Sequence, residues 1–542
     1  MAPHSNHRLL NLSVTIYCAL ICAWIFSTPL RHLPQALGYL QDDFYYYAQI
    51  ARNIVRGHGS SFDGIVRTNG YQPLYLLLIC AAAQVGEKLG NGTRTMLLVL
   101  WALNTAAALT TFLVARRILS WVNTNAVLTN ALALVALIIP IRLFFLGMEI
   151  SLTIPLELLL LAIALRTFDT ATGSEASPTG PAAVSPASMA ALGVTAAAMV
   201  LSRLDSALFV VLLSTGVLAS PTLRRSIGAR AAAAFSLAAG LPLLGYVLFN
   251  RSAFGVWEPI SGMAKQMRLN HGPSAIALRT ALEGNGRILF TIVLFAFALF
   301  AVHFRNLRPA WRVSLFAASA FPLAHMGVLI FLSDWRIWSW YHYSFVPSTM
   351  ALLALLAFTL ERSRTIQTTR SSPLRYVSYA LLALFALALP LNRWRLNPEM
   401  HQIAETAVSL QRFSWSHSGV YAMGDRAGMS AWLLSNPVFQ TEGLVEDRGW
   451  LDVIRRQGDL VGELRRRGVR YYVMTEWSDA RYRSLSAHPP APGCVSAIEP
   501  MQAGPSAPHL ESQICSPPVA VLVTPSIDWA PAKRTLIFDL SQ

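Results

Sequence analysis

The sequence predicts an all-α polytopic membrane protein carrying a small α/β domain at its C-terminal end, and three observations lead there. The 542 residues are 54% hydrophobic and 13% charged, with a mean hydropathy of +0.44, too apolar for a water-soluble chain of this length. Apolar runs long enough to cross a bilayer recur as far as residue 391. After Arg393 the composition turns soluble in character for the remaining residues. The formal net charge of +15 fits this class without a nucleic-acid partner: no basic and aromatic surface motif accompanies it, and membrane proteins collect Lys and Arg in their cytoplasmic loops.

The first run, Leu9 to Ser27, follows Arg8 and is succeeded by Thr28-Pro29-Leu30-Arg31 rather than by a small-residue cleavage site. It reads as an uncleaved span with its N-terminus inside. Further runs lie at 93–118, 126–147, 151–167, 229–249, 286–304, 312–333, 344–360 and 375–391. Residues 73–88 are short for a span, and 189–219 is long and interrupted by Ser202-Arg203-Leu204-Asp205. Charge arbitrates, because Arg116-Arg117, Arg224-Arg225, Arg305, Arg308, Arg312, Arg362, Arg364 and Arg370 should all be cytoplasmic. One arrangement satisfies them: 73–88 is re-entrant or interfacial, and 189–219 is a hairpin of two half-spans with Arg203-Leu204-Asp205 at its tip. It gives about 11 transmembrane helices, an N-terminus inside and a C-terminus outside. If 73–88 spans and 189–219 crosses once, the number is unchanged but Arg116-Arg117 falls outside.

The preferred arrangement sets Asp42-Asp43, Glu149, Arg203-Asp205, the loop 251–285 and the stretch Trp335 to Tyr343 on one extracytoplasmic side. Residues 1–392 thus form the membrane domain, with a first extracytoplasmic loop at 28–92, and 393–542 a soluble extracytoplasmic α/β domain. Asp169 to Ser188, rich in Ala, Thr, Gly, Ser and Pro, reads as a flexible connector.

In the C-terminal domain Val420–Met423, Arg470–Met474, Val519–Val523 and Thr535–Phe538 read as strands, and Trp450–Arg467 as one amphipathic helix. Gly424-Asp425-Arg426-Ala427-Gly428 lacks the spacing of a dinucleotide loop. Cys494 and Cys515 form a disulfide there or stay as thiols, whereas Cys18, Cys22 and Cys80 lie in apolar segments and serve packing.

The chemistry concentrates after the first span. Phe44, Tyr47, Ala51, Ile54 and Val55 recur at helical spacing, so the segment from Asp42 to Val55 is an amphipathic helix at the membrane surface, opened by two carboxylates. Capping explains one Asp. Two beside hydrocarbon are costly, and proton abstraction from a lipid-borne substrate is a reason to keep them. No HExxH, paired CxxC, P-loop or nucleophile-elbow sequence is present, which argues against a zinc protease, an ATPase or a serine hydrolase.

The order Asp42-Asp43-Phe44-Tyr45-Tyr46-Tyr47, Ala51-Arg52-Asn53, Gly57-His58-Gly59 and then Thr68-Asn69-Gly70-Tyr71-Gln72-Pro73-Leu74-Tyr75 resembles the integral-membrane GT-C glycosyltransferases, in the group of mannosyl, aminoarabinose and arabinosyl transferases. The specific part covers about 35 residues. Gly147-Met148-Glu149, the broken hairpin with a basic tip and the C-terminal domain extend the likeness weakly along the chain. The resemblance implies a GT-C-like fold in a bacterial-type inner (plasma) membrane and a role in cell-envelope glycoconjugate assembly. It implies a polyprenyl-phosphate-linked sugar as donor, and a glycan, lipid or protein as acceptor.

The acidic pair would then supply the general base, Asp42 first and Asp43 second, the latter positioning substrate or a divalent ion such as Mg or Mn. Many members carry a charged residue just before the Pro-Leu pair, and Tyr71-Gln72-Pro73 carries none, which argues against metal coordination by that loop. A single inverting displacement needs one base and positive charge at the departing phosphate. Arg203, Lys265 and Arg336 are candidates for that charge, with Arg203 foremost because it interrupts an apolar stretch; an ion pair with Asp205 is the alternative. Glu149 is a second acidic site residue or a boundary residue. Asn69 and Tyr71 are candidate substrate contacts. The loop Asn250 to Lys265 shapes the pocket or is a structured connector. Trp335 to Tyr343 forms an aromatic belt or stacks on sugar, with His342 available to phosphate. The rival class, a transporter or flippase of lipid-linked or small polar substrates, is disfavoured by the lack of visible repeats and by the position of the acidic helix outside a span. A membrane scaffold presenting the C-terminal domain is the third reading.

Overall fold

The structure is a computed structural model and describes residues 3–172, 183–366, 373–476, 485 and 491–541. Among these, eight helices are long and apolar enough to cross a membrane: His7–Phe26, Gly92–Ser120, Ala126–Phe144, Ile150–Thr170, Ala229–Phe254, Gly286–Asn306, Pro309–Leu332 and Ser339–Ser363. Three shorter apolar helices, Pro186–Ser202, Leu204–Ala219 and Tyr376–Leu391, stand among them. Each long helix contains or overlaps one predicted apolar run. The predicted connector Asp169–Ser188 is helical up to Thr172 and again from Pro186, while 173–182 lie outside the described residues.

The interrupted stretch 189–219 folds as a hairpin. Arg203 is extended, at φ −159° and ψ 112°, and ends the Pro186–Ser202 helix. After a single 3-10 turn over Leu204–Ser206 the chain returns as the Ala207–Ala219 helix. The Val184 N–H bonds the Ser226 carbonyl at 2.9 Å, closing the open end. Seventeen and thirteen residues reach only about 26 and 20 Å at 1.5 Å per residue, short of a hydrocarbon core of about 30 Å. The hairpin tip therefore stops inside the bundle and delivers Arg203 there.

The Pro73–Leu89 helix begins at the same end, where the Tyr75 hydroxyl donates to the Gly147 carbonyl at 2.6 Å. In its last turn Glu87 pairs at 2.8 Å with Arg56, just past the Asp42–Val55 helix. Gly90 (φ 65°) then turns the chain into the next span. Both ends of this helix are thus tied to the first loop.

The C-terminal domain opens with the Pro398–Ser414 helix. Its strands are β1 (Val420–Met423), β2 (Val438–Gln440), β3 (Val469–Thr475), β4 (Val495–Glu499), β5 (Leu510–Ile514), β6 (Ala520–Thr524) and β7 (Lys533–Asp539). Five form a mixed sheet in the order β2-β1-β3-β7-β6, parallel among β1, β2 and β3 and antiparallel on both sides of β7. β4 and β5 pair separately, and a Cys494–Cys515 disulfide joins their open end. The single helix expected over Trp450–Arg467 is instead two, Arg448–Arg455 and Leu460–Arg466. Gln457 at φ 52° breaks the first, and the Asp459 carboxylate caps the second through the Gly462 N–H at 2.8 Å.

Strand periodicity splits this sheet between two cores. Tyr471, Val473 and Ile537 join one continuous core with the membrane helices. Tyr472, Met474 and Phe538 face the other way, onto Trp450, Leu451 and Leu464. Packing therefore continues across the composition change at Arg393.

Candidate active site

The helix Asp42–Val55 lies against the seven-residue helix Ala427–Leu433 of the C-terminal domain and caps both its ends. The Asp42 carboxylate accepts from the Gly428 N–H at 2.9 Å and the Met429 N–H at 2.7 Å. At the other end the Arg52 guanidinium donates to the Ala431 and Trp432 carbonyls at 3.1 and 2.9 Å and stacks over the Trp432 ring. Anion at the N-terminus and cation at the C-terminus match the polarity of the helix. Asn53 serves the loop that follows, donating to the Ser61 and Phe62 carbonyls.

Asp43, one residue on, is half-buried and accepts no hydrogen bond among the described residues. The charges acting on it are Lys265 and Arg203, which favour its ionised form, and Asp425 and Glu149, which oppose it. Burial dominates and pushes its carboxyl up to about 6. Burial likewise pushes Asp42 up to about 7, against the N–H groups of Met429 and Gly428, with Asp43 and Asp425 adding to the rise.

Lys265 reaches this place on the short helix Ile260–Gln266, and the first loop holds that helix. Asn69 accepts from the Ile260 N–H at 3.0 Å and donates to the Glu258 carbonyl at 3.3 Å. The Lys265 ammonium donates to the Tyr341 hydroxyl at 2.9 Å. Burial works against its charge, but Tyr341 and Asp43 more than offset it, so the pKa stays raised and the side chain protonated.

Arg203 is buried, at 4% exposure, between two carboxylates. It bonds Glu149 directly and Asp205 at 3.0 Å, and lies over the rings of Tyr341 and Tyr343 at 4.9 and 4.6 Å. Glu149 also accepts from the Tyr47 hydroxyl at 3.1 Å, and Asp205 meets His325 and the Tyr343 hydroxyl at 2.9 Å each. Gln72 links loop to hairpin: its N–H bonds the Tyr47 hydroxyl at 3.3 Å and its side chain accepts from the Leu204 N–H at 3.1 Å.

Glu149, Arg203 and Asp205 thus share one network, with Asp43 and Lys265 facing it. The remaining sequence candidates stand apart. Tyr71 bonds Ser60 at 2.9 Å. Arg336 lies over Trp338 and 3.7 Å from Glu283. His342 packs edge-on to Phe345, and Trp338 and Trp340 stack on each other at 5.5 Å. Sequence reasoning missed His325, whose signal was a histidine inside an apolar run, and read Tyr341 and Tyr343 only as part of an aromatic belt or sugar-stacking stretch, not as partners of Arg203 and Asp205. It also missed Asp425 and Glu442, which the C-terminal domain brings near the acidic pair, and Glu499 behind them; burial first and neighbouring carboxylates next hold Glu442 well above the usual range, and burial pushes Glu499 up to about 8.

A hard divalent ion needs several oxygens converging on one point. Asp42 commits both of its oxygens to N–H groups, and among the described residues no three His, Cys, Asp or Glu side chains group to hold an ion. Asp42 and Asp43 therefore do not by themselves make a site for the Mg or Mn that the sequence allows.

Fold and site together define a multi-pass helical membrane protein whose polar centre is closed by a small α/β domain. Solved structures similar to it include the Archaeoglobus fulgidus oligosaccharyltransferase in the apo form, 13% identical over 87% of this chain and 70% of that one, with a TM-score of 0.48. ArnT from Cupriavidus metallidurans in the apo state is 13% identical over 92% and 93%, also at 0.48. The archaeal oligosaccharyltransferase AglB from Archaeoglobus fulgidus, in complex with an inhibitory peptide and a dolichol-phosphate, is 13% identical over 88% and 70%, at 0.47. At these values the likeness assigns no residue a role. No protein-family model and no curated protein matches the sequence.

Proposed function

We propose that the chain is a glycosyltransferase that moves a sugar from a polyprenyl-phosphate donor to an acceptor hydroxyl in one inverting displacement. The observation that carries this is the pairing of an uncommitted carboxylate, Asp43, with a protonated lysine, Lys265, beside the buried Arg203 network. The motif shared with GT-C enzymes in the first loop supports it. Asp43, rather than Asp42, is the base, because Asp42 is occupied in capping a helix.

In this mechanism the Asp43 carboxylate takes the proton from the acceptor hydroxyl as its oxygen attacks the anomeric carbon. The bond from that carbon to the phosphate oxygen breaks, and the polyprenyl phosphate leaves with the electron pair. Lys265 is the cation for the departing phosphate, since among the described residues its ammonium meets the Tyr341 hydroxyl and no carboxylate at ion-pair distance. Arg203 is already shared between Glu149 and Asp205 and is a positioning residue that fixes Tyr341 and, through it, Lys265. A pKa of about 6 at Asp43 suits a general base near neutral pH.

The test is purified protein incubated with a panel of polyprenyl-phosphate sugars and acceptors, with mass analysis of the products, for the native chain and for Asp43→Asn and Asp42→Asn. Transfer lost in D43N with retained fold and donor binding is expected. Full transfer by D43N removes the proposed base, and flux of an unmodified substrate into liposomes would favour a transporter.

A further inference from the structure

At the end of the bundle opposite the acidic pair, a cavity of about 480 Å³ opens among four spanning helices and the turn at Asn306. The Ile150–Thr172 helix connects the two places: Glu149 precedes its first turn, and Arg166 and Asp169 on its last turns line the cavity. Twenty residues of helix rise about 30 Å, the thickness of the hydrocarbon core. The cavity therefore sits at the other membrane surface, where the arginines of the sequence place the cytoplasm.

Its lining is unusual in charge. Three guanidinium groups, Arg117, Arg166 and Arg308, stand around it against one carboxylate, Asp169. Arg308 bonds Asp169 at 3.0 Å. Arg117 lies over the Trp121 ring at 5.6 Å, and among the described residues neither Arg117 nor Arg166 has a carboxylate within ion-pair distance. Trp121 and the buried Trp311 complete the wall, and indole rings settle at headgroup level. Guanidinium forks match phosphate oxygens, and basic pockets between spanning helices on the cytoplasmic side suit anionic headgroups. The volume is that of a small-ligand site.

We propose that this cavity binds the phosphate-bearing headgroup of an anionic phospholipid, drawn from the leaflet opposite the candidate active site. It is a second lipid site, separate from any donor, and it does not depend on the reaction proposed above. Arg117 and Arg166 grip the phosphate from two helices, while Arg308 stays with Asp169 and contributes its charge at longer range. The headgroup relieves the repulsion of three like charges around one cavity.

The test uses the full-length protein in detergent, with native mass spectrometry of retained lipid after addition of phosphatidylglycerol, cardiolipin or phosphatidylcholine. Phosphatidylglycerol and cardiolipin should be retained and phosphatidylcholine lost. The double substitution R117Q/R166Q, at two exposed positions, should weaken retention roughly 30-fold, the effect of removing two charges near the surface. Asp169→Asn should strengthen it, because it removes the one opposing charge. Unchanged thermal unfolding of R117Q/R166Q establishes that the loss is one of binding. Equal retention of phosphatidylcholine, or retention indifferent to R117Q/R166Q, overturns the proposal: the arginines would then be merely solvated. Stabilisation by inorganic phosphate or pyrophosphate with none by phosphatidylglycerol would also overturn it, and would assign the cavity to a soluble phosphate compound.

Discussion

Removing the Asp42 carboxylate should loosen the C-terminal domain from the membrane bundle before it touches chemistry. In the native chain this side chain takes two buried N–H groups, those of Gly428 and Met429, at the start of a helix that belongs to the other domain. A buried donor left without an acceptor costs about 1–3 kcal/mol. Asp42→Ala strands both, a loss of about 2–6 kcal/mol; Asp42→Asn keeps one acceptor and strands one, for about 1–3 kcal/mol. Because the groups bridge two parts of the chain, the loss appears as local opening rather than global unfolding. At 2 kcal/mol the open population rises about 30-fold. The assay is limited proteolysis of purified protein, following release of a fragment beginning near residue 393, alongside thermal unfolding. Release should be fastest in D42A, slower in D42N and slowest in the native chain. D43N should match the native chain, because Asp43 accepts no such bond. Equal protection of D42A and native protein would refute the assignment of Asp42 to capping.

The pH profile of transfer should rise through about 6, since Asp43 is raised to that value by burial and works as a base only when ionised, above it; a rate flat from pH 5 to 8 would remove Asp43 from the reaction. Its loss in D43N should lower turnover about 100- to 10,000-fold. Arg203→Met leaves buried Glu149 and its neighbour Asp205 without their cation, which should cost about 3–5 kcal/mol and reduce yield of folded protein, with partial rescue by adding Glu149→Gln. A well-folded R203M defective only in donor binding would instead make Arg203 the phosphate ligand. Gly70→Ala would put a methyl 2.0 Å from the Leu444 carbonyl oxygen, forcing the first loop and the C-terminal domain apart; thermal stability should drop by about 1–3 kcal/mol, and an unchanged melting temperature would show that the two backbones separate without cost.

The spanning helices were readable because a bilayer accepts only long apolar runs, and the hairpin because Arg203 and Asp205 interrupt one. Strands β1, β3, β6 and β7 announced themselves by β-branched and aromatic residues. β2 did not, with three residues between turns, and neither did β4 and β5, whose Glu499, Glu511 and Gln513 look like loop. The break at Gln457 was hidden because leucines on both sides keep helical spacing. At the site, the acidic pair was conspicuous, but which Asp does what depends on Gly428 and Met429, whose N–H groups carry no sequence signature. Arg203 stood out as a cation in an apolar stretch, and Asp205 was read as its partner, but Glu149, 54 positions earlier in the chain, also pairs with it. Asn69 was found as a motif residue, yet the hydrogen bonds it makes hold Lys265 in place.

The clasp between Asp42 and Met429 spans 387 positions of chain. At a synthesis rate of about 5–20 residues per second, about 20 to 80 s separate the two ends of that hydrogen bond at the ribosome. Throughout that interval Asp42 lacks the two N–H groups that donate to it, and Arg52 lacks its carbonyl partners. The first loop therefore reaches its full set of hydrogen bonds only after the C-terminal domain has been made and has docked against it.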